Sequence, residues 1–497
     1  MSNKNRFPHS TPEAQNVPAS AIENFLDGIK RSRLELHSLM LLRHGRLIAQ
    51  GWWKPYSPNR IHLLYSLSKS FTSTAVGLAV SEGRLTVNDR VIDFFPDELP
   101  EQVSDNLAAM EVRHLLCMGT GHAADTAPAM FTRAGDNWIK GVLSIPPEEP
   151  PGSVFTYNQG ATFLLAAIVQ KLTGGTLVEY LEPRLFAPLG IDQYFWQQNP
   201  QGINFGYSGL HLTTDAVARL GQLYLQQGVW MGEQLLPASW VAAASSRQID
   251  SSTPNAEDGE PQNPDWIQGY GYQFWRCRHN AYRGDGAFGQ FCLIMPDQDA
   301  VLAMTAGTND MQGVLDQVWD HLLPAFSDEA PPQAPGLQSQ LEDRLSTLAY
   351  PPVAGQSTSP VAADVLGNAY QLHAADDADE GGTAMQIGAF KLTTAEDGYW
   401  LHLTTDNGEH ALRLGYQQWS PGVTTLINPG DDPVRNTVGS YAWVDDNKLT
   451  ATVRFLETPH ALTVTLRFVG DRAELSGYWN AVFGPVELPV MLGRRVE

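Results

Sequence analysis

The sequence predicts an α+β fold followed by an all-β domain at the C-terminal end. Three observations predict it. Apolar runs on either side of Arg43-His44-Gly45-Arg46 read as a β-hairpin, and the stretch after it, LLYSLSKSFTSTAVGLAVSEG at 63–83, has helical spacing. The middle of the chain carries further helical periodicities, then short apolar runs separated by turn residues, as in an antiparallel meander. From about residue 366 apolar and polar residues alternate, the period of half-buried strands.

The elements follow in order. Residues 1–19 are polar and proline-bearing and form an N-terminal arm. Between 21 and 34, Ile22, Phe25, Leu26 and Ile29 fall on one helix face. The hairpin occupies 36–53. In the next helix Leu67, Phe71, Ala75, Leu78 and Ala79 line one face, Ser66 is placed to cap the start and Gly83 to stop the end. Segments 161–172 and 213–227 are apolar-periodic, with Gly174-Gly175 and Gly228 as stops; the apolar core FLLAAIV of the first suits a buried helix or a buried strand. The composition of 251–266 is that of a loop. GYGYQFWRC, YRGDGAFGQFCLIMP and AVLAMTAG read as meander strands, and 310–326 as an amphipathic helix. A first domain therefore spans 20–326, a linker with a short helix 327–365, and a β-domain 366–497. Within that last domain YWLHLTT, LTATVRFL and ALTVTLRF alternate between Asp-Asn-Gly and Asp-Asp-Asn turns, which suits a small barrel or a sandwich.

Composition narrows the function. The chain has 497 residues, 43% hydrophobic, enough for two or three cores. With 32 basic against 54 acidic residues its net charge of −22 disfavours nucleic acid and anionic membrane surfaces as partners. No apolar run reaches bilayer length and the first twenty residues lack a signal-peptide core, so the expected location is the cytoplasm. Three widely spaced cysteines, Cys117, Cys277 and Cys292, make neither a disulfide framework nor a zinc site. No metal or cofactor motif is present, and the expected ligand is a small-molecule substrate.

Chemistry concentrates at Ser66 and Lys69. Residues three apart share a helix face, so the lysine lies within reach of the serine oxygen. A lysine in a first helical turn opposes the helix dipole, a placement that invites a functional reason. A buried lysine of lowered pKa can deprotonate a neighbouring hydroxyl, and N–H groups at the same helix end can hold an oxyanion. A capped core helix explains the same residues without chemistry.

The segment LLYSLSKSFTSTAVGLAVSEGRLTVNDRVIDFFPD resembles the serine β-lactamase and penicillin-binding superfamily, in the branch of class C β-lactamases, D-alanyl-D-alanine peptidases and related esterases. Ser66-Leu67-Ser68-Lys69 matches its Ser-x-Ser-Lys, with Gly83, Leu85 and Asp89 following as in the family. The second family motif, Tyr-x-Asn, is met by Tyr157 in PGSVFTYNQG, with Gln159 in place of the asparagine. The third, Lys-Thr-Gly or His-x-Gly, aligns with Gly284-Asp285-Gly286, which lacks the cation that holds a substrate carboxylate. The resemblance implies an antiparallel sheet flanked by helices, with a β-lactamase/transpeptidase-like arrangement, Ser66 as nucleophile, Lys69 and Tyr157 sharing the proton traffic with Lys69 lowering the phenol's pKa or acting as base itself, and an oxyanion hole from the N–H groups of Ser66 and Ala287. It places Gln159, Asp285, Gly286 and His122, the last in HLLCMGTGHAADT, along the substrate. A Gly-rich turn explains 284–286 equally well, and His122 and His211 each suit a structural place.

The expected function is a serine hydrolase cleaving an ester or amide of a small substrate through a Ser66 acyl-enzyme, of esterase or amidase/D-amino-peptidase type, with β-lactamase activity weak or absent. Gln159 and the missing cation keep open a non-catalytic ligand-binding protein on the same fold.

Overall fold

The computed structural model describes residues 7–496 except 134, 253–263, 331–335, 375–385, 428–432 and 434. Most of the loop expected at 251–266 and part of the linker therefore lie outside the described residues.

Six strands form one antiparallel sheet. In spatial order they are Arg46–Trp52, Leu36–Arg43, Ala300–Ala306, Gln290–Met295, Tyr282–Gly286 and Trp275–Arg276. The hairpin pairs Arg43 with Arg46, as its turn residues predict. Both sheet faces are covered, which is why the strands read as unbroken apolar runs. Leu39, Leu41, Phe291, Leu293 and Leu302 pack against Ile22, Phe25 and Ile29 of the helix Ala19–Arg31 and against Val314 and Leu315 of Met311–Gln317. Met40, Leu42, Cys292, Ile294 and Val301 face the opposite layer, built around the helices Ser68–Ser81, Gln159–Thr173 and Thr214–Leu225. FLLAAIV is thus a buried helix.

The arm gains a place and one expectation changes. The N-terminal arm is docked: Phe7 is buried with its ring edge on Trp230, and the chain brackets Leu47 through Ser10 N–H to Leu47 O and Leu47 N–H to Pro8 O, both 3.0 Å. The helix Ser68–Ser81 is not one-sided, because every residue from Ser68 to Ala79 is buried. Lying between the sheet and the helical layer, it must bury hydroxyls as well as apolar groups, and they find acceptors there. Ser70 Oγ donates to Gln273 O at 2.9 Å, and Thr72 Oγ1 to Gly206 O at 2.9 Å.

The C-terminal domain is a closed barrel. Nine described strands run in a ring from Gly408–Tyr416 through Gly398–Thr405, Ile387–Ala395, Ala369–Ala374, Glu487–Arg495, Arg472–Trp479, Ala461–Val469 and Lys448–Phe455 to Asn436–Asp445. The parallel register Gly415↔Ser440 and Tyr416↔Tyr441 shuts it. Closure removes the edges that an open sheet would expose. Tyr370, Phe390, Tyr441, Trp443 and Phe468 fill its core. The barrel docks beside the sheet through Arg454–Glu35 (2.6 Å), Arg60–Glu457 (2.7 Å) and Asn480 Nδ2 to Gly307 O (3.1 Å).

Candidate active site

Ser66 sits in the 3-10 turn Tyr65–Leu67, just ahead of the helix Ser68–Ser81, and its hydroxyl makes no capping bond. It is therefore a residue of the approach to the helix rather than the cap the spacing suggested. Lys69, in the first helical turn, is 1% exposed. Its Nζ donates to Ser66 Oγ at 3.0 Å, to Gln159 Oε1 at 2.5 Å and to Tyr207 O at 2.9 Å. All three partners are neutral. Burial lowers the lysine's pKa to about 7, with the charges of Asp125 and Asp285 opposing the shift. A large share of Lys69 is thus free base at neutral pH.

Tyr157 precedes the helix Gln159–Thr173, whose cap is Asn158. Its ring lies 4.7 Å from Lys69 Nζ and stacks on Trp275 at 5.4 Å. The expectation that Lys69 lowers the phenol's pKa is not met: burial, then the charge of Asp285, push it well above the ordinary value. The phenol keeps its proton, and of the two groups only the lysine is tuned toward a base.

Gln159 reaches Lys69 itself, while its backbone N–H donates to Asp125 Oδ1 at 2.8 Å. Asp125 also accepts from Ala127 N at 3.0 Å. Neither Asp125 nor Tyr207 stood out in the sequence; Asp125 lies within the family-like segment HLLCMGTGHAADT.

Gly284, Asp285 and Gly286 end the strand Tyr282–Gly286, alongside the turn that holds Ser66. A Cβ on Gly284 would lie 2.4 Å from Ser70 Oγ and 2.5 Å from Leu67 Cδ1. The cation of the third family motif is not merely missing; the helix fills its place. A Cβ on Gly286 would lie 1.9 Å from Leu64 O and 3.1 Å from Ser66 N, so the half-buried Ala287 begins its turn next to the Ser66 backbone. Asp285 lies on the strand's other face, accepting from Arg283 Nε at 2.9 Å. Burial raises the Asp285 pKa against the pull of Arg283 and Lys69. Arg283 is fully buried over Trp266, donates to Asp265 O at 2.7 Å and lies 2.9 Å from Cys277 Sγ, so it does not stand in for the missing cation.

His122 is engaged elsewhere. Its Nδ1 lies 2.9 Å from Thr120 Oγ1 and its Nε2 3.0 Å from Ile145 O, in a cavity lined by Leu107, Leu115 and Leu164. His211 is buried with Nδ1 on Gly209 O.

Aromatic side chains frame the pair. From Lys69, Tyr207 stacks on Phe205 (5.5 Å), Phe205 on Trp138 (5.2 Å), and Trp138 meets the exposed Phe131 edge-on (4.9 Å). Beside Ser66 the rings are Tyr65, Phe288 and, from the barrel, Phe483. Nothing in the alternation of the β-domain signalled that it would reach this place.

The model of the family described as Beta-lactamase matches residues 27–323, more than half of the chain. The chain is 25% identical over 334 residues to the 6-aminohexanoate-dimer hydrolase of Paenarthrobacter ureafaciens, covering 61% of this chain and 80% of that protein. It is 28% identical over 183 residues to penicillin-binding protein 4 of Amycolatopsis lactamdurans, covering 36% of this chain and 44% of that one. Among solved structures, SurE superposes over 96% of this chain and 100% of its own with a TM-score of 0.50 at 18% identity, a likeness of fold. With its Ser-x-Ser-Lys helix, its antiparallel sheet and this family match, the chain belongs to the β-lactamase family, within the serine β-lactamase and penicillin-binding protein superfamily of hydrolases.

Proposed function

We propose that the chain cleaves an ester or amide bond of a small substrate through a Ser66 acyl-enzyme, with Lys69 as the base. The observation that carries this reading is the buried Lys69 Nζ, 3.0 Å from Ser66 Oγ and with a pKa near 7, where a base working at neutral pH is most effective. Lys69 takes the Ser66 proton as Oγ attacks the carbonyl carbon. The N–H groups of Ser66 and Ala287 receive the oxyanion. The proton passes from Lys69 through the Tyr157 hydroxyl, which burial keeps protonated, to the leaving group as the ester or amide bond breaks. Water then attacks the acyl carbon and gives its proton to the Tyr157–Lys69 pair, which returns one to Ser66 Oγ as the acyl–oxygen bond breaks and the acid product leaves.

Gly284 leaves no room for a cation against a substrate carboxylate, which argues for substrates without one and for weak or absent β-lactam turnover. The relative named 6-aminohexanoate-dimer hydrolase puts an aminohexanoate dimer beside short esters in the panel to be tried. The test is labelling with a fluorophosphonate, located by mass spectrometry, with nitrophenyl esters and D-amino-acid amides as substrates. An adduct on Ser66 that disappears in Ser66→Ala, with loss of turnover, is the expected result. No adduct and no turnover at any pH would leave a ligand-binding protein.

A further inference from the structure

We propose that the C-terminal barrel is part of the active site, and that its His460 is a positioning residue that holds the nucleophile in place through Tyr65; this rests on the reading of Ser66 as nucleophile. Tyr65, immediately before Ser66, has φ +47°, in the left-handed region that residues with a Cβ avoid. An aromatic residue stays there only when its surroundings hold it.

Those surroundings come from the barrel. The Tyr65 hydroxyl lies 2.8 Å from His460 Nε2. His460 Nδ1 lies 2.7 Å from Ala481 O, which can only accept, so Nδ1 carries the proton and Nε2 offers its lone pair to the phenol. Burial keeps this imidazole neutral, with its pKa lowered to about 4. The Tyr65 ring meets Phe288 edge-on at 5.3 Å and Phe483 at 5.8 Å, and those two rings meet at 4.7 Å. The approach to Tyr65 is tethered by the same barrel loop: Leu63 N–H donates to Glu457 O at 2.7 Å and Arg60 pairs with Glu457. From the other side Gly286 presses against Leu64 O and Ser66 N. Ser66 is thus gripped between a strand of its own domain and a loop of the barrel. Its N–H and Oγ point where the reaction needs them only while Tyr65 stays in its disfavoured conformation.

The experiment is a double-mutant cycle on nitrophenyl-ester turnover, with hydrogen exchange of the 63–68 peptide as a readout independent of activity. His460→Ala is expected to lower kcat about tenfold or more with KM nearly unchanged, and to speed exchange at 63–68, since a small displacement of a reacting group costs this much. Tyr65→Phe should do the same, and the double variant should be no worse than the poorer single one. Glycine adopts positive φ unaided. His460→Ala should therefore cost much less in a Tyr65→Gly background. Val423→Ala, at an exposed barrel position, is the control for general loosening. If His460→Ala lowers the melting temperature while kcat and exchange at 63–68 stay as in the wild type, or if the two single effects multiply, the proposal is overturned. If the wild type never labels at Ser66, the nucleophile reading fails, and the exchange measurement still decides the clamp.

Discussion

Lys69 and Arg283 are both cations buried beside the same strand, and they meet opposite fates. Lys69 has three neutral oxygens as hydrogen-bond partners, and burial takes its pKa down to about 7. Arg283 is buried as deeply, but the Asp285 carboxylate beside it opposes that penalty and keeps it charged. Burial alone therefore does not decide what a cation does. Neutral acceptors around it make a base; a carboxylate beside it makes a strut.

The largest effect expected from breaking this contrast is on Lys69. If Lys69 is the base proposed for Ser66, Lys69→Ala should lower kcat/KM on an active ester by about 10³-fold or more, with the fold intact by circular dichroism. Next comes Arg283→Met, which strands Asp285 in the core without its cation. Denaturant unfolding should then show a loss of about 3–5 kcal/mol. A subtler exchange converts one kind of cation into the other. Gln159→Glu puts a carboxylate where the amide oxygen lies 2.5 Å from Nζ. The wild-type rate should rise with pH through about 7, because Lys69 must be uncharged to act. A carboxylate favours the charged form, so this limb should move up by about a unit or more, with activity at pH 7 falling about tenfold.

The smallest effect concerns the interface that carries the barrel. His37 Nδ1 and His62 Nε2 lie 3.0 Å apart, and His37 also meets Glu35, which pairs with Arg454 of the barrel. Burial lowers both imidazole pKa values, for His62 well below 6.5 and with His37 adding to it. The unfolded chain therefore binds protons that the folded chain refuses. The contribution of this pair to stability should be level above about pH 6.5 and decline as pH falls below it, by a few degrees in melting temperature. His62→Gln, which does not titrate, should flatten part of that decline.

Much of this was legible in the sequence. The hairpin at Leu36–Trp52, the helices and the strand alternation of the β-domain follow from periodicity, which reports local geometry. The turn chemistry left barrel and sandwich equally open, because closure depends on the pairing of Gly408–Tyr416 with Asn436–Asp445, a tertiary contact. The helix Ser68–Ser81 is buried all round although its apolar residues line one face, because its serines and threonines are satisfied by distant carbonyls that sequence does not reveal.

By itself, the sequence determined that a serine and a lysine stand three residues apart at the start of a helix, and that Tyr157 and Gly284-Asp285-Gly286 occur in family-like order. Only the tertiary structure decided what they can do. Gln159 and Tyr207 reach Lys69 across 90 and 138 residues of chain, Ser70 and Leu67 close the space at Gly284, and His460 reaches Tyr65 across 395. A pKa and a strained backbone angle depend on which groups surround a residue once water is excluded. Those neighbours come from distant parts of the chain, so local spacing does not encode them.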